Sequence, residues 1–170
     1  MRRQHARSQI ASKAERNQVH AFTEIARLTS DLALPEQAKE RACMLFKQAQ
    51  DADLLRGRSI EGFAAAAVYA ACRIGSLSRT ESEVVEVASA TLVEFRTAYS
   101  AMNRELGLPT GPIDPAEYLP RFASELDLPA TVETRAGELL ESLRADRDLA
   151  GRNPSGIAAA TLCAAAVEND

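Results

Sequence analysis

The stretch Arg56-Gly-Arg-Ser-Ile-Glu-Gly-Phe-Ala-Ala-Ala-Ala-Val-Tyr-Ala-Ala-Cys-Arg73 decides the fold. From Ile60 to Ile74 it is apolar almost all round: Ile60, Phe63, Ala64, Ala67, Val68, Tyr69 and Ala71 leave no continuous polar face. Good helix formers dominate it, and nothing alternates with the period of two that a half-buried strand needs. A helix without a polar face is a buried one, so this segment is predicted to be a central rod. Ser59, just before it, is a preferred N-cap, because its hydroxyl accepts a backbone N–H that the first turn leaves unpaired.

The stretch occurs twice. Sliding the chain by 94 residues lays Leu34–Arg73 on Leu128–Val167 without a gap, with 14 of 40 positions identical. Six of the matches are alanines and weigh less, but Leu34-Pro35 meets Leu128-Pro129, Arg41-Ala42 meets Arg135-Ala136, and Gly57-Arg58 meets Gly151-Arg152. Leu45 and Leu55 meet Leu139 and Leu149, and Gly62 meets Gly156. A fixed offset of this length points to a duplicated helical unit.

Outward from the rod, the first unit reads as five helices. One spans about 18–33, with Phe22, Ile25, Ala26, Thr29 and Leu32 on one face. Leu34-Pro35 stops it, and Pro35 opens the next helix, which turns Ala38, Ala42, Leu45, Phe46 and Ala49 inward and ends near Gly57. After the rod, Thr80-Glu-Ser-Glu83 and Thr91-Leu-Val-Glu94 each fit the capping box, so helices are predicted over about 81–88 and 92–106. Gly107 ends the last, and a Pro/Gly-rich linker leads to Asp114-Pro-Ala-Glu117, which again has the capping-box pattern. The second unit stops at Asp170, which matches Ser76, so counterparts of the fourth and fifth helices are not expected, and its flank near Leu162 and Val167 should be bare. The expected organisation is a basic arm over 1–17, a first repeat over 18–108, a linker over 109–114 and a truncated second repeat of about three helices over 115–170.

Composition agrees with an all-α chain. Of 170 residues 46% are hydrophobic and 5% aromatic, with no Trp, which is enough for a core built largely on alanine and leucine. No run of about 18 apolar residues occurs, and no apolar segment follows the charged start, so a soluble cytoplasmic protein is expected without membrane contact. Cys43, Cys72 and Cys163 are odd in number, far apart and outside any C-x-x-C pair; buried apolar roles fit them better than a disulfide or a zinc site. No cofactor or metal is expected. Net charge is −4 and unevenly spread: residues 1–18 carry Arg2, Arg3, Arg7, Lys13 and Arg16 against Glu15, which is +4 and leaves −8 for the rest. An acidic body argues against wholesale wrapping of nucleic acid.

Three features carry candidate function. In Arg56-Gly57-Arg58-Ser59 and Gly151-Arg152-Asn153-Pro154, arginines sit beside the start of a helix, where free N–H groups and the helix dipole favour an anion of phosphate size. Ordinary capping with exposed arginines explains the same residues. Thr80–Glu105 has helix-turn-helix spacing, with Glu94, Arg96, Thr97, Ser100, Asn103 and Arg104 on the outer face of its second helix and Thr91 at its start. Glu94 near the second helix start would repel phosphate, and plain bundle packing accounts for the pair as well. The basic stretch Arg2–Arg16 reads as a solvated arm or as a docking segment. His5 and His20 stand apart from any carboxylate or cysteine cluster in the sequence, and no Ser/His/Asp set, H-E-x-x-H or phosphate-binding glycine loop occurs. Nothing in the chain supports catalysis.

At 56–73 the sequence resembles archaeal transcription initiation factor B, the counterpart of the eukaryotic transcription factor IIB family. The resemblance extends to Lys13-Ala-Glu-Arg-Asn17, Arg104-Glu-Leu-Gly-Leu108, Asp114-Pro-Ala-Glu-Tyr-Leu-Pro-Arg-Phe-Ala-Ser-Glu-Leu126 and Gly151-Arg-Asn-Pro-Ser-Gly-Ile-Ala-Ala-Ala160, covering roughly 13–167. It implies two cyclin-like repeats that clamp TATA-binding protein on promoter DNA and help recruit RNA polymerase. Arg56, Arg58, Ser59, Arg152 and Asn153 then become candidate DNA-backbone contacts, Thr91, Arg96 and Thr97 possible helix-turn-helix contacts, and the basic arm a segment directed to polymerase. The family's cysteine-rich zinc ribbon and the helix-turn-helix of its second repeat have no counterpart in these residues. The expectation is therefore an adaptor that modulates initiation. A protein-only cyclin-like adaptor and a non-functional truncated paralogue are the alternatives.

Overall fold

The computed structural model describes residues 2–145 and 151–169, with side chains described from Lys13 onward. The chain divides into two compact units, Met1–Thr110 and Gly111–Asp170. The first holds α1 (Arg2–Asp31), α2 (Glu36–Asp51), α3 (Ile60–Ile74), α4 (Glu81–Val87) and α5 (Leu92–Leu106). The second holds a 3-10 turn (Pro115–Tyr118), then α6 (Leu119–Glu125), α7 (Ala130–Ala145) and α8 (Pro154–Asn169). Among the described residues there is no strand, and no helix is long and apolar enough to cross a membrane.

The rod predicted from the sequence is α3, and every residue from Gly62 to Cys72 is buried. It packs against α1, α2, α4 and α5. Its alanines let those helices approach closely, while Phe46, Phe63 and Phe95, all fully buried, fill the larger gaps. Each such ring contributes roughly 1.5–3 kcal/mol of burial relative to exposure. Tyr69 of α3 meets Phe95 and Tyr99 of α5 edge-on, with ring centroids 5.5 and 5.0 Å apart. The five inward residues expected of α2 are its buried ones. Pro35 stands one position before the first helical residue, in extended backbone with ψ 155°, so it caps α2 rather than opening it.

The duplication is visible in backbone conformation. Gly57 and Gly151 occupy the same place in the two repeats, and both have φ in the left-handed region, +71° and +74°. Glycine is the residue that adopts it without strain. The turn before each Leu-Pro pair recurs too: Ala33 and Asp127, 94 positions apart, have φ of +48° and +51°. Both capping boxes form. Thr80 accepts the Glu83 N–H at 3.1 Å while Glu83 accepts the Thr80 N–H at 2.7 Å, and Thr91 and Glu94 do the same at 3.3 and 2.8 Å.

Several expectations change. Helix α1 takes in residues 2–17 of the stretch read as a basic arm: it continues N-terminally from the predicted start near residue 18. Asp114 accepts the Ala116 N–H at 2.8 Å and opens a 3-10 turn rather than an α-helix. Cys72 is buried and Cys43 half-buried, but Cys163 is exposed. Leu162, expected on a bare flank, is buried, whereas Val167 is 73% exposed. Both results follow from α8 packing one face on α6 and α7 and leaving the other uncovered.

Candidate nucleic-acid interface

The first Gly-Arg loop is built by the end of α2 and the start of α3. Gly57 takes the left-handed turn, and the following Arg58 N–H donates to Leu55 O at 3.1 Å. Ser59 caps α3 by accepting the Gly62 N–H at 3.0 Å. Arg58 and Arg56 are exposed, although Arg58 also folds one guanidinium N–H back onto Leu54 O at 2.5 Å. That bond orients the arginine beside the loop and leaves four further donors on its fork.

Glu61 changes the expectation about the helix start. Its carboxylate accepts the Ser59 hydroxyl at 3.1 Å and lies 2.8 Å from His20 Nε2. Its pKa is lowered, chiefly by a hydrogen bond from its own backbone N–H and then by His20. The α3 N-terminus is thus already supplied with an anion, and the cationic side chains, not the free N–H groups, are left to meet a phosphate. His20, isolated in the sequence, is not isolated in the fold, because α1 runs past the start of α3.

Those cations line a cleft of about 510 Å³ that sequence reasoning missed. Lys13 and Asn17 from α1 face Gln50 of α2 and Asp53, Arg56, Gly57 and Arg58 of the segment that follows it. Gln50 Nε2 donates to Ala14 O at 2.8 Å, which ties α1 to α2 beneath the cleft. Lys13, read as part of an arm, shares one surface with residues more than forty positions away. Only the continuation of α1 as a single helix brings them together.

A second cleft, of about 450 Å³, lies at the corresponding place in the second repeat, between Asp114, Pro115, Arg144, Arg152 and Pro154. Arg144 stands at the repeat position of Gln50 and pairs with Asp114 and, at 2.6 Å, with Glu141. Asn153 accepts the Ser155 N–H at 3.1 Å, as a cap should. Arg152 lies beside it and is exposed. Arg144 and Arg152 stand with Asp114 here, one cation fewer than the first cleft, where Lys13, Arg56 and Arg58 stand with Asp53.

The helix pair α4–α5 offers less to DNA. Thr91 accepts the Glu94 N–H and donates its hydroxyl to the Glu94 carboxylate at 2.7 Å. Arg96 pairs with Glu81 at 3.1 Å, and Thr97 donates to Val93 O at 2.7 Å. All three are exposed but engaged within the pair. Another feature invisible in the sequence fixes that pair: Glu24 of α1, 9% exposed, accepts the Ser89 N–H at 3.0 Å. Arg27 grips Glu24 at 2.6 Å and donates to Val87 O at 2.8 Å. The Arg27 guanidinium holds the Glu24 carboxyl down at about 2. Together they clamp the turn between α4 and α5. Among the described residues no group of His, Cys, Asp and Glu is arranged to hold a metal.

Known proteins with this pattern are transcription factors. The family model described as transcription factor TFIIB repeat matches residues 14–105 and 109–170. A transcription initiation factor IIB 1 of Halobacterium salinarum is 55% identical over 170 residues, all of this chain and 59% of the relative. A second from that organism, transcription initiation factor IIB 2, is 42% identical across 98% of the chain and 51% of its own length. A transcription initiation factor IIB of Methanococcus maripaludis is 41% identical across 98% of the chain and 49% of its own length. The chain therefore spans half to three-fifths of the curated relatives it matches. With both repeats matched almost end to end, and the Gly-Arg loop recurring in sequence and backbone, the chain belongs to the transcription factor TFIIB repeat family.

Proposed function

We propose that the chain acts in transcription initiation as a factor B-like adaptor, binding TATA-binding protein and promoter DNA through its two repeats. It meets DNA on the phosphate backbone through arginines, Arg56 and Arg58 in the first repeat and Arg152 in the second, with the caps Ser59 and Asn153 holding the loops beside them. The observation that carries the reading is the recurrence of one device: a left-handed glycine that sets an exposed arginine on the rim of a cleft beside a helix start. Phosphate contacts position a protein on DNA without reading its sequence. That suits a pair of clefts lined by arginine and lacking a base-reading helix. Thr91, Arg96 and Thr97 take no part in this proposal, since each is already held inside α4–α5. RNA polymerase is the proposed partner of the basic stretch Arg2–Arg16, on the family resemblance.

The test is a titration of fluorescent promoter DNA, with TATA-binding protein present, across a salt series. Arg56→Ala/Arg58→Ala should weaken binding and lower the salt slope by roughly one to two counterions, with a smaller effect from Arg152→Ala. Unchanged affinity and slope in both variants would remove the phosphate assignment. The acidic groups at two helix starts, Glu61 and Glu94, favour the second reading, a protein-only cyclin-like adaptor. Partner binding that ignores both DNA and salt would select it.

A further inference from the structure

The start of α3 carries an ion pair that the DNA contacts do not use. His20 Nε2 of α1 lies 2.8 Å from Glu61 Oε1, and the other Glu61 oxygen accepts the Ser59 hydroxyl at 3.1 Å. Ser59 in turn caps α3 through the Gly62 N–H. The pair stands at the lip of the first cleft: Ile60, between Ser59 and Glu61, lines it, and so does Asn17, one turn before His20 on α1. Arg58 leaves the same short segment just before Ser59. With side chains 57% and 34% exposed, both partners are open to solvent, and an exposed pair of this kind adds little to stability. A negative charge at this place matters instead to an anion held by the arginines beside it.

The surrounding charges are few. From α5, Glu94 lies close enough to Ser59 and Glu61 to act on both. On α1, Arg16 and Glu24 stand one turn to either side of His20, and Glu24 is already held by Arg27. The other helices packed on α1 meet it elsewhere, α2 through Gln50 at Ala14 and α4 through the Val87 carbonyl at Arg27. Carboxylates and guanidinium groups ordinarily keep their charge between about pH 5 and 8, and histidine is the side chain that does not. The pair therefore carries one negative charge when the imidazole is neutral and none when it is protonated. The second repeat is built otherwise. An offset of 94 puts Asp114 in place of His20 and Ser155 in place of Glu61. Asp114 pairs with Arg144, and the Ser155 hydroxyl donates to Asn153 at 2.9 Å.

We propose that His20 and Glu61 form a proton-linked switch on the phosphate site of the first repeat, tightening the hold on the DNA backbone as pH falls through the histidine range. The proposal rests on the DNA-backbone reading above. A phosphate beside Arg58 disfavours the negatively charged form of the pair and favours the protonated one. Binding thus takes up a proton, and the gain is present below the histidine range and lost above it. One unit charge at about 7 Å in water corresponds to about threefold in affinity.

The test titrates fluorescent promoter DNA with the full chain, TATA-binding protein present, at fixed salt from about pH 5.5 to about pH 8. Any pH dependence of the DNA or of TATA-binding protein is common to every variant, so affinities are compared between variants at each pH. Wild type should match His20→Gln at the upper end and bind about threefold more tightly than it at the lower end. At the upper end Glu61→Gln should bind about threefold more tightly than wild type, a gain that loosened structure would not give. Arg152→Ala should keep the wild-type pH change, and Arg56→Ala/Arg58→Ala should lose it. A thermal melt of each variant separates lost binding from lost folding. A constant ratio of wild type to His20→Gln across the range, or no gain in Glu61→Gln, would overturn the proposal and leave the DNA reading standing. No binding by the wild type at any pH would overturn both.

Discussion

Glu24 is a carboxylate almost wholly removed from water, and it survives there because Arg27 and the Ser89 N–H both bind its charged form. Its pKa of about 2 lies below the ordinary 4.5. A depressed folded value means that its contribution is fully present above pH 4.5 and fades as pH falls toward 2. With Arg27 partly exposed, the contribution is on the order of 1–3 kcal/mol. Glu24→Gln should lower stability by that order at pH 7 and flatten the acid limb of a denaturation series between pH 5 and about 2. An unchanged acid limb would mean that the clamp carries no such stability. Nothing local in α1 marks Glu24 as buried, since its partner turn is 65 residues away. The same holds for His20 and Glu61, 41 residues apart. Single residues that meet across elements were not legible in the sequence.

Elements were far more legible, because caps and periodicity are local. Thr80 and Thr91 announce α4 and α5, and both boxes form where the spacing puts them. Removing either hydroxyl, Thr80→Ala or Thr91→Ala, should cost about 1 kcal/mol, read by denaturant midpoint. The start of α1 was misplaced because a run of arginines looks like an arm when propensity is set against apolar periodicity. The glycine pair gives a sharper comparison. Gly62→Ala forces a Cβ to within 3.0 Å of Glu94 O and should destabilise by about 1–3 kcal/mol. Gly156→Ala, in open space on α8, should stabilise by roughly 0.5–1 kcal/mol through helix propensity. Equal effects at the two sites would contradict this difference in clearance.

For the whole molecule, the repeat was readable and the cleft was not. Identity at an offset of 94 residues indicates the duplication, and the shared left-handed turns at Gly57 and Gly151 give it three-dimensional form. The cleft needs Lys13, Gln50 and Arg56 to be brought together by three segments, which no spacing rule anticipates. The second unit has the smaller core, built around Tyr118, Leu119, Val132, Leu140 and Leu162, with one face of α8 bare. A core this small protects amides less well, so hydrogen exchange should be faster in α7 and α8 than in α3. Equal protection would show that the second unit draws stability from a source outside its own core.

The central claim is that these two repeats form an adaptor on promoter DNA. A gel-shift with TATA-box DNA, with and without TATA-binding protein, over a salt series tests it most directly. A supershift is expected only when TATA-binding protein and this chain are both present, weakening steeply as salt rises. A folded chain that gives no supershift at any salt would contradict it.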